Sequence, residues 1–495
     1  MFPTYSDISD ISQETQGYWN AESALRDKYR KYYSGAIFKE LVPSEAGQDE
    51  IDIELYPVGL NLVKLLCHAQ ADSLFGEWEE QIVRFGVNQE AEYGQPERDA
   101  AKLLDEILLS SNAGSVLWEM ALDREVYGGA AMKVSPIFNP LKPGYVKWSR
   151  VPLDAFYPIW DPDDPEVLLE VYIVTEMTKE QAKLAYGHVT DKVTVTKVEH
   201  WTNNIYETKL DDRKISAYSG VNPWGVVPFV YIPRMRTTSW WGDSLTADLI
   251  RAQDELNMRV ADLGEAVHYN SHPTRFGINL PKAFNQDNYP LGPNVLWDLG
   301  RKVGDWPEPK VGMLNTPDPV PPGAFTFVEF IYDWSMTSSS APPIAFGKDD
   351  GGGQRSGVTL EIRMWPLIKA IRRSRAYMST GLMRAAFLTA TILKQKKYDM
   401  VSVRALEAIT SNKVVPQYSP IMPRDQAALV DEVVKRRSTN PPTISLVSSV
   451  KKLGDGASEV ERIDDDLVKY PPVEVGAGDG AGTSSKKTQQ DKTKK

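Results

Sequence analysis

The first apolar pattern along the chain is helical. Residues 11–34 set Leu25 and Tyr29 four apart and Tyr29 and Tyr32 three apart, with Trp19 and Tyr33 completing an aromatic side. Gly35 follows as a C-terminal cap. Residues 57–76 predict a second helix, with Leu62, Leu65, Leu66, Ala69 and Leu74 as its apolar side and Gly76 as its stop. Residues 97–122 predict a third, with a break near Asn112 and Gly114. From Ala130 to Trp160 the chain turns rich in Pro, Val and aromatics, as strands are. Residues 166–177 and 192–202 read as strands. Between them, 178–187 reads as a short helix with Thr178 as N-cap and Gly187 as its end. Residues 226–235 predict an edge strand, because proline has no N–H to give a central ladder.

The second half returns to the helical period. Asp243 or Ser244 can cap a helix in which Leu245, Leu249, Leu256, Val260, Leu263 and Val267 form one side. Asp248, Arg251, Asp254, Glu255, Arg259, Asp262 and Glu265 make it polar elsewhere. Residues 271–317, rich in Pro, Gly and Asn, predict a small irregular or β subdomain. Residues 323–337 predict a helix with Phe327, Phe330, Ile331 and Trp334 on one side. The stretch 345–357 carries Lys348, Asp349, Asp350, Gly351, Gly352, Gly353, Gln354 and Arg355. Three successive glycines make ordering it costly in backbone entropy, so it predicts a mobile loop. A long helix then runs from Ser356 or Gly357 to about Lys397. Pro366 inside it removes one hydrogen bond and predicts a kink. Its charge is lopsided towards Arg363, Lys369, Arg372, Arg373, Arg375, Arg384, Lys394, Lys396 and Lys397. Residues 422–437 read as a helix with Asp425 in its first turn and a basic last turn, as the macrodipole favours. Residues 443–454 and 458–470 read as two more, and 471–495 as a disordered tail. No internal repeat is visible. The sum is a mixed α+β chain, predominantly helical.

Composition narrows the function. At about 150 residues per domain, 495 residues correspond to roughly three domain-sized units. With 42% hydrophobic and 25% charged residues, the chain has the balance of a packed protein rather than a disordered or fibrous one. Fifty-six Lys and Arg against 67 Asp and Glu leave a formal charge of −11. That argues against wrapping duplex DNA, which needs a cation per neutralised phosphate. It does not argue against letting DNA pass ungripped. The single cysteine, Cys67, forms no intrachain disulfide and fits a reducing compartment. Residues 1–10 show no secretory signal, and no apolar run reaches the roughly 18 residues of a spanning helix. The expectation is a soluble protein, intracellular or delivered from inside a cell.

The search for chemistry returns mostly simple readings. No GxxxxGK[ST] loop is present, since Gly347-Lys348 is followed by Asp349; a DNA-translocating motor would need one. No GxSxG elbow is present. Cys67 and His68 are neighbours that point apart on a helix, so Cys67 reads as a buried structural thiol. His268 and His272 have the spacing of two metal ligands, but Pro273 biases His272 out of helical geometry and no further ligand is near. Asp161, Asp163 and Asp164 lie between prolines and read as a turn, with a nuclease site as the weaker alternative. Asp464, Asp465 and Asp466 read as a solvated helix face. No metal, cofactor or catalytic residue is expected. The glycine loop between two helices and the basic helix in an acidic protein stand out.

The order of these segments resembles the portal proteins of tailed bacteriophages. The resemblance is carried by Tyr32-Tyr33-Ser34-Gly35, Asn61 to Gly76, EVYGGAAMKVS at 125–135, IPRMRTTSWWGDS before DLIRAQDELN at 248–257, SGVTLEIRMWPLIKAIRRSR at 356–375, and MPRDQAALVDEVV before SEVERI. It implies a wing over 1–243, stem helices over 244–270 and 319–340, and a clip over 271–318. A tunnel loop over 341–357, a long kinked wing helix over 358–397, a crown and C-terminal helices over 398–470, and a tail over 471–495 complete it. It further implies a non-enzymatic homo-oligomeric ring, usually a dodecamer, at one capsid vertex of the virion, assembled in the host cytoplasm. Double-stranded DNA passes through such a ring during packaging by a terminase large subunit and during ejection. Head-tail adaptor, major capsid and scaffolding proteins are its other partners, and no membrane is involved. The tunnel loop residues 348–355 would face DNA, and the seven charged stem residues named above would be channel candidates. The alternative is another phage structural or adaptor protein without a conduit, and after it a metal-dependent nuclease.

Overall fold

The computed structural model describes residues 13–39, 59–76, 83–87, 94–136, 146–271, 275–279, 304, 307–313, 322–348, 357–396, 401–421, 426–439, 443 and 449. Two compact units divide the chain after Met422. Within the first, α1 (Gln13–Ser34) ends at Gly35, whose φ of +79° is the left-handed conformation that glycine adopts freely. Helix α2 (Leu62–Phe75) starts five residues later than its apolar pattern suggested, because the Asn61 side chain accepts from the Lys64 amide and caps it there. Strand β1 (Val83–Val87) follows. The long third helix is two, α3 (Gln95–Ser110) and α4 (Ala113–Tyr127), separated at Asn112 with a φ of +52°.

The β portion holds β2 (Gly129–Pro136), β3 (Val146–Val151), β4 (Phe156–Trp160) and β5 (Leu168–Thr178). Helix α5 (Lys179–Tyr186) carries the full capping box between Thr178 and Gln181 and ends at left-handed Gly187. It is followed by β6 (Thr194–Thr202), β7 (Ile205–Leu210), β8 (Arg213–Lys214), β9 (Gly220–Val221) and β10 (Phe229–Pro233). One antiparallel sheet runs β10-β2-β3, which leaves the proline-bearing β10 at its edge as expected. The other runs β4-β5-β6-β7-β8, with β9 also on β7. In β7 the exposed end is Ile205 while Thr208 and Leu210 are buried, and β8 is two exposed basic residues, so no clear period marked these strands in the sequence.

Helix α6 (Leu245–Ser271) leads to a two-stranded sheet of β11 (Arg275–Ile278) and β12 (Lys310–Met313), within the stretch expected to be partly β. Helix α7 (Pro322–Ser338), the forty-residue α8 (Gly357–Lys396), α9 (Val403–Thr410) and β13 (Val414–Tyr418) complete the unit. Strand β13 pairs with β1, so chain segments over 300 residues apart close one small sheet, a pairing no local pattern announces. Beyond Met422, α10 (Gln426–Arg437) has the expected basic last turn and a Glu432–Arg436 pair at 2.8 Å. Asp425, the stretch expected to be helical over 443–454 apart from Thr443 and Ser449, all of 458–470 with Asp464 to Asp466, and the tail lie outside the described residues.

The main core joins α3, α4, both larger sheets, α9 and the second half of α8. Met378, Leu382, Ala385, Ile392 and Leu393 of α8 are buried there, and each large side chain contributes roughly 1.5–3 kcal/mol. Gly381 permits the close approach, since a Cβ there would stand 2.4 Å from the Ile232 side chain of β10. Trp148 on β3 donates its indole N–H to Thr389 Oγ1 of α8 at 2.9 Å. The buried Arg124 of α4 donates to the carbonyls of Pro233 and Ser374, which ties α4 to β10 and α8. Burial lowers that guanidinium to about 10.

An ion cluster joins the two larger sheets. Lys133 of β2 contacts Glu199 of β6 at 2.6 Å, and Lys197 pairs with the same carboxylate. Burial alone would raise the Glu199 carboxyl, but the two ammonium groups outweigh it and hold it at about 2. The folded-state value lies below the ordinary 4.5, so the cluster's contribution is complete above 4.5 and is lost as pH falls towards 2. In urea unfolding, the stability gap between wild type and Glu199→Gln should shrink across that interval. A gap constant with pH would show that the carboxylate is not held ionised by the fold.

Candidate functional site

The helix pair α6–α7 and the segment leading into α8 occupy the place of the sequence-derived site. Helix α6 is fixed at its start. Ser244 Oγ donates to the Val126 carbonyl of α4 at 2.6 Å and accepts from the Ala247 amide. Leu245, Leu249 and Leu256 then enter a second apolar cluster with Leu62, Val63 and Leu66 of α2 and Ile331 and Met336 of α7. Gln253 sits in that apolar row. Its Oε1 accepts from the Leu62 and Val63 amides at 2.8 and 3.2 Å, and its Nε2 donates to the Leu60 carbonyl at 2.6 Å. One α6 side chain thereby satisfies amides that the first turn of α2 leaves free. Sequence reasoning missed it. The signal was a polar residue between Leu249 and Leu256 on the helix's apolar side.

Cys67 is fully buried in this cluster, and burial pushes its thiol up to about 12. That matches the structural reading of the cysteine, because the thiolate is the nucleophile.

The second half of α6 is barely covered within the chain. Val260 and Leu263 are half-buried, and Val267 is exposed. The expected apolar side of α7 divides likewise. Ile331 is buried, whereas Phe327, Phe330 and Trp334 are exposed. The reason is register: Ile331, Ser335 and Met336 take the side turned to α6, and the aromatics fall on the other.

The seven charged residues of α6 do not share one environment. Asp254 is half-buried, and both its oxygens accept from the Tyr32 hydroxyl of α1 at 2.9 Å. Burial first and this carboxylate second push the Tyr32 phenol up to about 12. Arg259 is held between Glu255 at 2.8 Å and Asp262 at 3.0 Å. Asp248 and Arg251 are exposed. Partial burial raises the Asp248 carboxyl, with Arg234 opposing. The side chain of Glu265 lies outside the described residues.

Of the loop, Lys348 is exposed with its Nζ 4.4 Å from the centre of the Tyr332 ring on α7. Asp349, Asp350, Gly351, Gly352, Gly353, Gln354 and Arg355 lie outside the described residues. Helix α8 continues unbroken through Pro366, which is exposed. Its basic residues divide as well. Arg375 donates to the Leu74 carbonyl at 2.7 Å beneath Tyr418, Arg384 pairs with Glu166 at 3.3 Å, and Lys369 and Arg372 flank Trp365.

The competing chemistry finds local explanations. Asp161 accepts from the Asp163 amide and Asp164 from the Glu166 amide, both at 2.9 Å, so these carboxylates shape a turn. His272 and the side chain of His268 lie outside the described residues. Among the described residues, no group of three or more His, Cys, Asp or Glu could hold a metal ion. Among them too, no helix is long and apolar enough to cross a membrane.

A family model described as phage portal protein, SPP1 Gp6-like, matches residues 25–468. The chain belongs to the phage portal protein family. The matched span covers both compact cores, the α6–α7 pair and all of α8. Membership in the portal family implies a structural, non-enzymatic role at the capsid portal vertex. No curated protein matches the chain.

The Tyr32–Asp254 contact fixes α6 to α1. Removing the hydroxyl with Tyr32→Phe should cost about 1.5–3 kcal/mol, as for a hydrogen bond to a charged group. The phenol's raised value means that its stability contribution is complete below pH 10 and is lost as pH climbs through about 12. Urea unfolding of Tyr32→Phe should therefore show a smaller alkaline loss than wild type. Equal losses would place the alkaline sensitivity elsewhere.

Proposed function

We propose that the chain closes as a ring, usually of twelve copies in its family, around a channel for double-stranded DNA at one capsid vertex. The family match over 25–468 carries this reading. In it, residues 1–243 form the wing, α6 and α7 the stem, 271–318 the clip and 341–357 the tunnel loop. Residues 358–397 form the long wing helix, bent at Pro366, and 398–470 the crown and C-terminal helices. The ring docks the terminase large subunit during packaging and a head-tail adaptor afterwards. Capsid and scaffolding proteins surround it during assembly in the host cytoplasm.

The charge distribution supports a low-friction bore. Every phosphate neutralised by a cation adds affinity, so a strongly basic lining would stall transport. Arg259 of α6 is occupied by Glu255 and Asp262, which withdraws it from phosphate. Lys348 at the base of the loop, with Arg355 further on, would supply weak transient contacts. The uncovered apolar residues of α6 and α7 fit burial between copies, as a head-to-tail ring requires.

Negative-stain microscopy of the purified full chain should reveal rings with an open axial hole. A lone subunit under all assembly conditions, or a filled centre, would overturn the reading. Deleting Gly351–Gly353 should leave rings intact and reduce DNA packaged or retained in a terminase-driven assay. Loss of the ring itself would contradict a tunnel-loop role for that segment.

A further inference from the structure

We infer that the aromatic, acidic face of α7 docks on the aromatic, basic first half of α8 from the next copy of the chain. The inference rests on the ring reading above and names the two surfaces that meet. On α7, Glu329, Phe330, Asp333 and Trp334 are exposed, at spacings of one, four and five that place them on one side of a helix. Phe330 is 62% and Trp334 59% exposed, so neither their own α8 nor any described part of the chain covers them. The opposite side of α7 is already used, through Ile331, Ser335 and Met336.

The matching face lies on α8. Ile362, Trp365, Lys369 and Arg372 recur at three, four and three and are all exposed, Ile362 at 68%. Lys369 and Arg372 lie 5.4 and 5.5 Å from the Trp365 ring centre, so a flat aromatic platform rimmed by cations is already assembled. Two acids beside two aromatics on one helix thus find two cations beside an aromatic and an isoleucine on the other. Complementary charge sets register and excludes wrong partners, while the apolar groups supply the area to bury. The two faces differ, so their contact can run head-to-tail, and a pair of copies joined by one such contact still offers one free face of each kind. A two-fold pair would use both faces of both copies and stop at a dimer, whereas a head-to-tail contact continues to a ring. The cations of α8 could also meet DNA phosphates. The apolar half of that platform, Ile362 and Trp365, favours protein, and the acids of α7 give the cations a partner in every neighbouring copy.

The test uses the full chain. Glu329→Lys with Asp333→Lys, and separately Lys369→Glu with Arg372→Glu, should each cut the ring fraction at least tenfold in sedimentation velocity. All four changes in one chain should restore it, because complementarity returns at every contact. In a second arm, a Phe330→Cys chain is mixed with an Ile362→Cys chain and treated with a short bis-maleimide. A cross-link between the two different chains is expected, with buried Cys67 silent in wild type. Unaffected rings in both reversal variants, or no cross-link in well-formed rings, would overturn the inference while leaving the ring reading intact. Intact rings with lost DNA retention in the α8 variant would assign that face to DNA and overturn it equally. Absence of rings from wild type would instead sink the ring reading.

Discussion

Burial of one half of α8 is the constraint on which the rest of the structure depends. From Met378 to Leu393 the helix lies under the β10-β2-β3 sheet and α9, with Gly381 letting the backbone approach Ile232. Arg124 reads the arrangement directly, since its guanidinium reaches a carbonyl of β10 and a carbonyl of α8 together. In the first half of α8, Leu367, Ile368 and Ile371 are buried, whereas Ile362 and Trp365 remain exposed.

The same division recurs in α6. Its first four turns are fixed by Leu245, Leu249, Gln253 and Leu256 against α2 and α7, while Val260 and Leu263 are half-buried and Val267 is exposed. Helix α7 repeats it across its width, with Ile331 and Met336 inward and Phe330 and Trp334 outward. A lone chain exposing several large aromatics on long helices carries a solubility cost unless copies cover one another. Self-association is therefore what these three helices have in common. It is also what makes a portal-family subunit a part rather than a finished object.

Charge is handled in a matching way. Three cations of α6 and α8 are committed, Arg259 to two carboxylates, Arg375 to a carbonyl and Arg384 to Glu166, while Arg251, Lys369, Arg372 and Arg373 stay exposed. A cation already paired within the fold is withdrawn from phosphate, because retention of DNA needs free cations in register with its phosphates. Lys133, Glu199 and Lys197 put the remaining strongly coupled charges where they join sheets rather than meet a ligand.

Local pattern alone determined the helices α1, α5, α6, α7 and α8, the edge position of β10 and the turn at Asp161 to Asp164. Each depends on residues within one or two turns: a cap, a glycine stop, a proline without an N–H. The Asn112 break was legible for the same reason. Sequence order also carried the family, since the segments around 32–35, 61–76 and 356–375 retain its signature. What stayed hidden were the partnerships between distant residues. Strand β13 meets β1 across more than 300 residues, Tyr32 meets Asp254, and Gln253 caps α2. Which aromatics of α7 face inward was equally undetermined. An apolar period marks a side of a helix without saying what lies against it; only tertiary packing chose Ile331 over Phe330, through the place where α6 happened to lie.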